Sequence, residues 1–198
     1  IFDTLLFRTY QEPKNVFLEV GIRAQEEGLL QIGTTPEQFQ NLRVLAEIKV
    51  RQHKKSINNS TEVNLNDIYK QFPYNEEVCK RLKNLELLVE MEACYLNPSI
   101  KSLIDTFKRM NKPVVLVSDM YLSKKDIEFI LSKNKLEMNL IDDLIVSNEH
   151  SCGKATGELF VKLISKYPHI SPSQIIHIGD NYHADILGAK FHKIETIH

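Results

Sequence analysis

Between residues 12 and 95 the apolar positions recur every three to four residues, the spacing that puts them on one face of an α-helix. Val16, Phe17, Val20 and Ala24 form one stripe, and Phe39, Leu42, Ala46 and Ile48 a second. Val78, Leu82, Leu85 and Val89 form a third, on a helix that starts near Glu76. Thr35-Pro36-Glu37 reads as a helix start, with a hydroxyl cap and a proline where its missing N–H costs nothing. Residues 56–66 are polar and predict a loop. The stripes predict core packing and are assigned no chemistry.

The pattern changes at both ends of this stretch. Residues 1–10 begin as an apolar strand and then leave it. Asn97-Pro98 opens a helix that runs to about Met110. The runs Pro113–Val117, Leu144–Val146, Ile175–Ile178 and Ile194–Ile197 are short, apolar and mostly β-branched, like strands covered on both faces. Helices are predicted between them. One opens at Ser123, which makes a capping box with Asp126, and runs through Leu131. Another opens at Thr156 and carries Leu159, Phe160, Leu163 and Ile164; a third spans Ala184–Phe191. Strand and helix alternating over short links predict an α/β fold with a Rossmann-like parallel sheet. Residues 1–11 and 96–198 are expected to form that core, with 12–95 a helical domain inserted after the first strand.

Composition agrees with a packed protein: 198 residues, 42% hydrophobic and 26% charged. Gly and Pro together are only 14 residues, which fits long helices and few tight turns. The chain starts with Ile, already in apolar sequence, and is expected to be a piece of a longer one. Net charge is −1, which offers no general basic face for nucleic acid. The one basic run, Arg51–Lys55, reads as solvated helix surface. No apolar stretch approaches the roughly 18 residues of a membrane span. Cys79, Cys94 and Cys152 are odd in number and form no CxxC pair, so reduced thiols in a cytoplasmic protein are expected.

Ligands of an open parallel sheet bind at the carboxyl ends of its strands. The residues there are Asp3 and Thr4, then Ser118, Asp119 and Met120, then Ser147 and Asn148, then Gly179, Asp180 and Asn181. Each alone is a common turn former; together they outline a polar pocket rich in acid groups. Asp180 with Asp185 offers carboxylates for a hard cation such as Mg2+. A turn capped by an aspartate accounts for the same segment equally well. Lys154 precedes a helix opening and could neutralise a phosphate, or be one surface lysine among many.

The ordered combination resembles the haloacid dehalogenase-like (HAD) superfamily of hydrolases across the whole chain. Phe2-Asp3-Thr4-Leu5 is similar to the tail of that family's first motif, strand–Asp–x–x–x–Thr, with Thr4 as its threonine. Ser118 matches the second motif. Lys154, six residues before Phe160, matches the third without its prolines. Gly179-Asp180, with Asp185 and Gly188-Ala189, matches the fourth closely. The insertion at 12–95 falls where the family carries a helical cap. In this register the nucleophilic aspartate falls immediately before Ile1, outside the given chain. Phe2 then stands where phosphatases carry a general acid, a group worth about 10²–10⁴-fold in rate. Asp3 is the candidate substitute, although successive residues of an extended segment point opposite ways.

The resemblance implies a Mg2+-dependent phosphatase that forms an aspartyl-phosphate. Thr4, Ser118 and Lys154 are its catalytic residues and Asp3 a possible acid. Ser118, Asp119, Lys154 and Arg8 would bind substrate, with a structural ion pair as the other reading for Arg8. The Phe2 carbonyl, Asp180 and Asp185 would hold the metal. The substrate class would be a small phosphorylated compound such as a sugar phosphate. The wording FDTLLFR and SDMYL is similar to predicted bacterial HAD hydrolases that are sometimes joined to surface-polysaccharide glycosyltransferases. The rival readings are a metal-free C–halogen hydrolase and a catalytically degenerate interaction domain.

Overall fold

In the computed structural model, which describes residues 1–198, the chain leaves one folded unit after Phe7 and rejoins it at Leu96. The residues between, Arg8–Tyr95, form a second unit. The crossings lie within two paired strands, β1 (Leu6–Arg8) and β2 (Cys94–Leu96).

The second unit is helical: α1 (Lys14–Glu26), α2 (Pro36–Asn58), α3 (Leu65–Tyr69) and α4 (Glu76–Ala93). Thr35 and Gln38 close a capping box at the start of α2, with Pro36 at its first position. That helix runs through Asn58 and stops at Asn59, in the left-handed region at φ 58°, so the loop is shorter than the polar stretch suggests. The buried stripe of α2 is Phe39, Arg43, Ala46 and Val50, while Ile48 is 44% exposed. Arg43 can be fully buried because each of its three guanidinium nitrogens donates to a carboxylate. It grips both oxygens of Glu86 at 2.8 Å, donates to Glu47 at 2.9 Å, and lies over the Phe17 ring. Tyr69 donates its hydroxyl to Glu86 at 2.7 Å. One turn along α4, Glu90 accepts from Arg8 at 2.7 Å, with both side chains nearly out of solvent.

The first unit is α/β. Its elements are α5 (Pro98–Arg109), β3 (Val115–Ser118), α6 (Lys124–Lys133), β4 (Asp143–Val146), α7 (Ser147–His150), α8 (Glu158–Lys166), β5 (Ile176–Ile178) and β6 (Glu195–Ile197). β3 pairs in parallel with β4, Ser118 opposite Val146, and β5 in parallel with β6. Val117, Ile145, Leu159, Phe160, Leu163, Ala189 and Ile194 make its core.

Three local details differ from the sequence expectation. The first strand starts at Leu6, because Asp3 takes φ 61° and turns the chain so that Leu5 and Leu6 both donate to the Ile1 carbonyl. α8 starts at Glu158 behind Gly157, whose φ of 79° breaks the chain direction after Thr156. The expected helix from Ala184 is a π-helical turn, Tyr182–Leu187, continued by Gly188–Lys190. No helix is long and apolar enough to cross a membrane.

Candidate active site

Every candidate site residue except Arg8 belongs to the α/β unit. Asn97 fixes the first loop: its side-chain amide donates to the Thr4 carbonyl at 3.0 Å and its backbone N–H to the Leu5 carbonyl at 2.8 Å. Thr4 in turn donates its hydroxyl to Asp180 Oδ1 at 2.8 Å, which ties the first loop to the turn after β5. The Ile1 nitrogen is buried, and the charged groups acting on it are Lys154, Asp185, Asp180 and Asp3. Phe2 forms an isolated bridge with Leu6, and Asp3 is exposed at the reversal that follows.

Ser118 ends β3 with only 2% of its surface exposed. The next residue, Asp119, accepts the Lys154 backbone N–H on both carboxylate oxygens at 3.0 Å, so it orients the lysine loop. Ser147 and Asn148 brace the same region rather than line a pocket. The Ser147 hydroxyl accepts from the Met120 N–H at 3.2 Å, and the Asn148 amide donates to the Met120 and Leu122 carbonyls at 2.6 Å.

The centre of the arrangement is a buried charge cluster. Lys154 Nζ donates to Asp185 Oδ1 at 2.5 Å, and His177 Nε2 reaches the same oxygen at 2.7 Å. Asp185 Oδ2 accepts the Asn181 backbone N–H at 3.1 Å. Lys154 is 7% exposed and Asp185 3%. Burial alone would raise the Asp185 pKa. The His177 hydrogen bond and the charge and hydrogen bond of Lys154 outweigh it and hold the carboxyl far below the usual carboxylate range. Burial lowers the His177 pKa below its ordinary value, against the hydrogen bond to Asp185 and with the charge of Lys154. The imidazole is therefore neutral at pH 7. An ionised carboxylate only accepts, so the proton of that imidazole sits on Nε2.

The glycines of this segment are set by close approach. A Cβ on Gly179 would lie 2.3 Å from Asp185 Cγ, and one on Gly188 only 2.1 Å from the Lys154 carbonyl oxygen. The π-helical turn, capped by Asn181 on the Ala184 N–H at 2.9 Å, carries Asp185.

Two expectations need correction. Asp185 does not present a carboxylate to a metal: its oxygens already take Lys154, His177 and the Asn181 N–H. Arg8 is engaged in the buried pair with Glu90 in the helical unit, its structural reading rather than a substrate contact. No group of three His, Cys, Asp or Glu side chains is arranged to hold a metal. Asp180, exposed and already oriented by Thr4, remains as the chain's own carboxylate for a hard cation. That donor set fits Mg2+, which takes one or two carboxylates and completes its shell with water and substrate phosphate. The sequence assigned no role to His177 and only a helix start to Asn97. A polar residue inside the run Ile175–Ile178 was the available signal for the first.

No curated protein matches the sequence. Solved structures with similar folds include the 2-haloacid dehalogenase of Pseudomonas syringae pv. Tomato DC3000, at TM-score 0.63 and 14% identity over 98% of this chain and 83% of that one. The HAD phosphatase of Thermococcus onnurineus aligns at TM-score 0.64 and 16% identity over 98% and 82%. The HAD-hydrolase YfnB of Bacillus subtilis, bound to magnesium, aligns at 0.61 and 17% over 98% and 85%. A family model described as haloacid dehalogenase-like hydrolase matches residues 4–192. The chain belongs to the haloacid dehalogenase-like hydrolases.

Proposed function

We propose that the protein is a Mg2+-dependent phosphatase of small phosphorylated compounds, sugar phosphates among them, acting through an aspartate placed immediately before Ile1 in the longer chain. The observation that carries this reading is the buried Lys154–Asp185 pair beside the Thr4–Asp180 hydrogen bond. A lysine ammonium buried against a carboxylate is suited to phosphoryl oxygens, and a preorganised cation needs no reorganisation as charge develops. Ser118, at the end of β3, supplies a hydroxyl donor to the same group. Thr4 orients Asp180, which with the Phe2 carbonyl would hold the metal. Bound Mg2+ would offset phosphate charge and orient the reacting group. The buried Ile1 nitrogen, close to Lys154, Asp180 and Asp185, supports placing the preceding side chain among these groups. An aspartate there attacks phosphorus and releases the alcohol, and water then frees phosphate from the acyl-phosphate, so one hard step becomes two. Asp3 is the nearest candidate to protonate the leaving oxygen.

The test is hydrolysis of a panel of phosphomonoesters by the full-length chain, with Mg2+ and with chelator. Turnover that needs Mg2+ and disappears in Asp180→Ala is expected. Metal-independent release of halide from 2-chloropropionate, with no phosphate release, would assign C–halogen hydrolysis instead. Absence of both would point to the interaction-domain reading.

A further inference from the structure

We propose that His177 is a positioning residue for Lys154, acting through Asp185, in the hydrolase site described above. His177 is a polar side chain at a strand position flanked by Ile176 and Ile178, and only 11% of it is exposed. Such a group requires a partner. Its partner is Asp185 Oδ1, the same atom that receives Lys154 Nζ. The other carboxylate oxygen is held by the Asn181 N–H. Two donors fixed in the backbone framework, one from β5 and one from the turn after it, thus set the plane of the carboxylate independently of the lysine. The Phe160 ring meets the imidazole edge-on, with centroids 4.9 Å apart at 79°, and stops it rotating. Lys154, a flexible four-carbon chain ending in a point charge, docks on an acceptor that is already aimed. Without His177 the carboxylate loses one of those two anchors. Its terminal torsion is broad and two-fold, so it can turn, and the ammonium turns with it.

The kinetic arm of this inference rests on the phosphatase reading; the spectroscopic arms do not. Two variants of the full-length chain separate positioning from packing. His177→Phe keeps the ring and its contact with Phe160 but has no donor. His177→Gln replaces the ring with an amide N–H of comparable reach. Loss of a partner one step removed from the reacting groups typically costs about 10- to 100-fold. That loss of kcat/KM is expected in His177→Phe and its recovery in His177→Gln. Nitrogen-15 NMR is expected to resolve an ordered, slowly exchanging Lys154 ammonium in the wild type and in His177→Gln, and not in His177→Phe. In the unmodified protein, long-range proton–nitrogen spectra at neutral pH should show an imidazole protonated at Nε2.

Wild-type activity or an ordered Lys154 signal in His177→Phe would overturn the proposal, as would equal damage in both variants. A ring with no proton on Nε2 in the wild type would do the same, and that measurement stands even if a variant fails to fold. If the wild type hydrolyses no phosphoester, the functional reading falls while the NMR arms still decide the role of His177.

Discussion

Asp185→Asn and Lys154→Met cut the same ion pair from opposite sides, and the structure predicts unequal costs. Asp185→Asn keeps the side-chain shape but leaves the ammonium of Lys154, 7% exposed, without a counter-charge. Removing one partner of a buried pair costs about 3–5 kcal/mol, because the survivor is left uncompensated. Lys154→Met leaves Asp185 with the His177 Nε2–H at 2.7 Å and the Asn181 N–H at 3.1 Å. One of three donors to a charged group is lost, worth about 1.5–3 kcal/mol. Asp185→Asn should therefore be the more damaging by about 2 kcal/mol, the difference between the midpoints of those two ranges. The assay is urea unfolding at pH 7 followed by circular dichroism, reading the transition that Asp185→Asn shifts. The acid limb gives a second reading. The Asp185 pKa is lowered on folding from its ordinary 3.8. Its contribution is thus complete above about pH 4 and is lost as pH falls from there toward the folded-state value. Asp185→Asn should show a shallower loss of stability below pH 4 than the wild type. A Lys154→Met penalty equal to or larger than that of Asp185→Asn would refute the argument, since it would mean that His177 and Asn181 do not sustain the carboxylate.

Three further perturbations address the packing. In the helical unit, Arg43→Met removes a fully buried guanidinium and strands Glu86 with Tyr69 alone, so a loss of about 3–5 kcal/mol is expected in thermal or urea unfolding. Arg81→Ala, which breaks a pair to Glu27 whose side chains are 50% and 45% exposed, should change stability by only about 0–1 kcal/mol. Gly188→Ala drives a Cβ into the Lys154 carbonyl, a backbone atom that cannot step aside, and is expected to displace the Lys154 loop. Loss of the ordered Lys154 ammonium signal would report this; an unchanged signal would refute it.

The local grammar of the chain was readable in advance. The Thr35 cap, the Ser123 capping box and the Asn97-Pro98 helix start formed as expected, because each involves residues within one helical turn. The alternation of strand and helix announced the α/β class, and the order of short motifs around Thr4, Ser118, Lys154 and Asp180 pointed to the family that the match over residues 4–192 establishes. Burial of charge was not readable. Arg43 enters the α2 stripe, with Val50 below it and Ile48 outside, because its carboxylate partner lies 43 positions away on α4. No window along one helix contains both halves of that pair. The same holds for the site. Asp185 reads as a metal carboxylate when only its spacing from Asp180 is considered. Folding brings Lys154 from 31 positions away and His177 from 8 onto a single oxygen of it, which changes its chemistry from ligand to counter-ion. Short-range spacing settles which elements form. Which charges survive burial, and what they then do, follows from partners that meet only when distant segments pack.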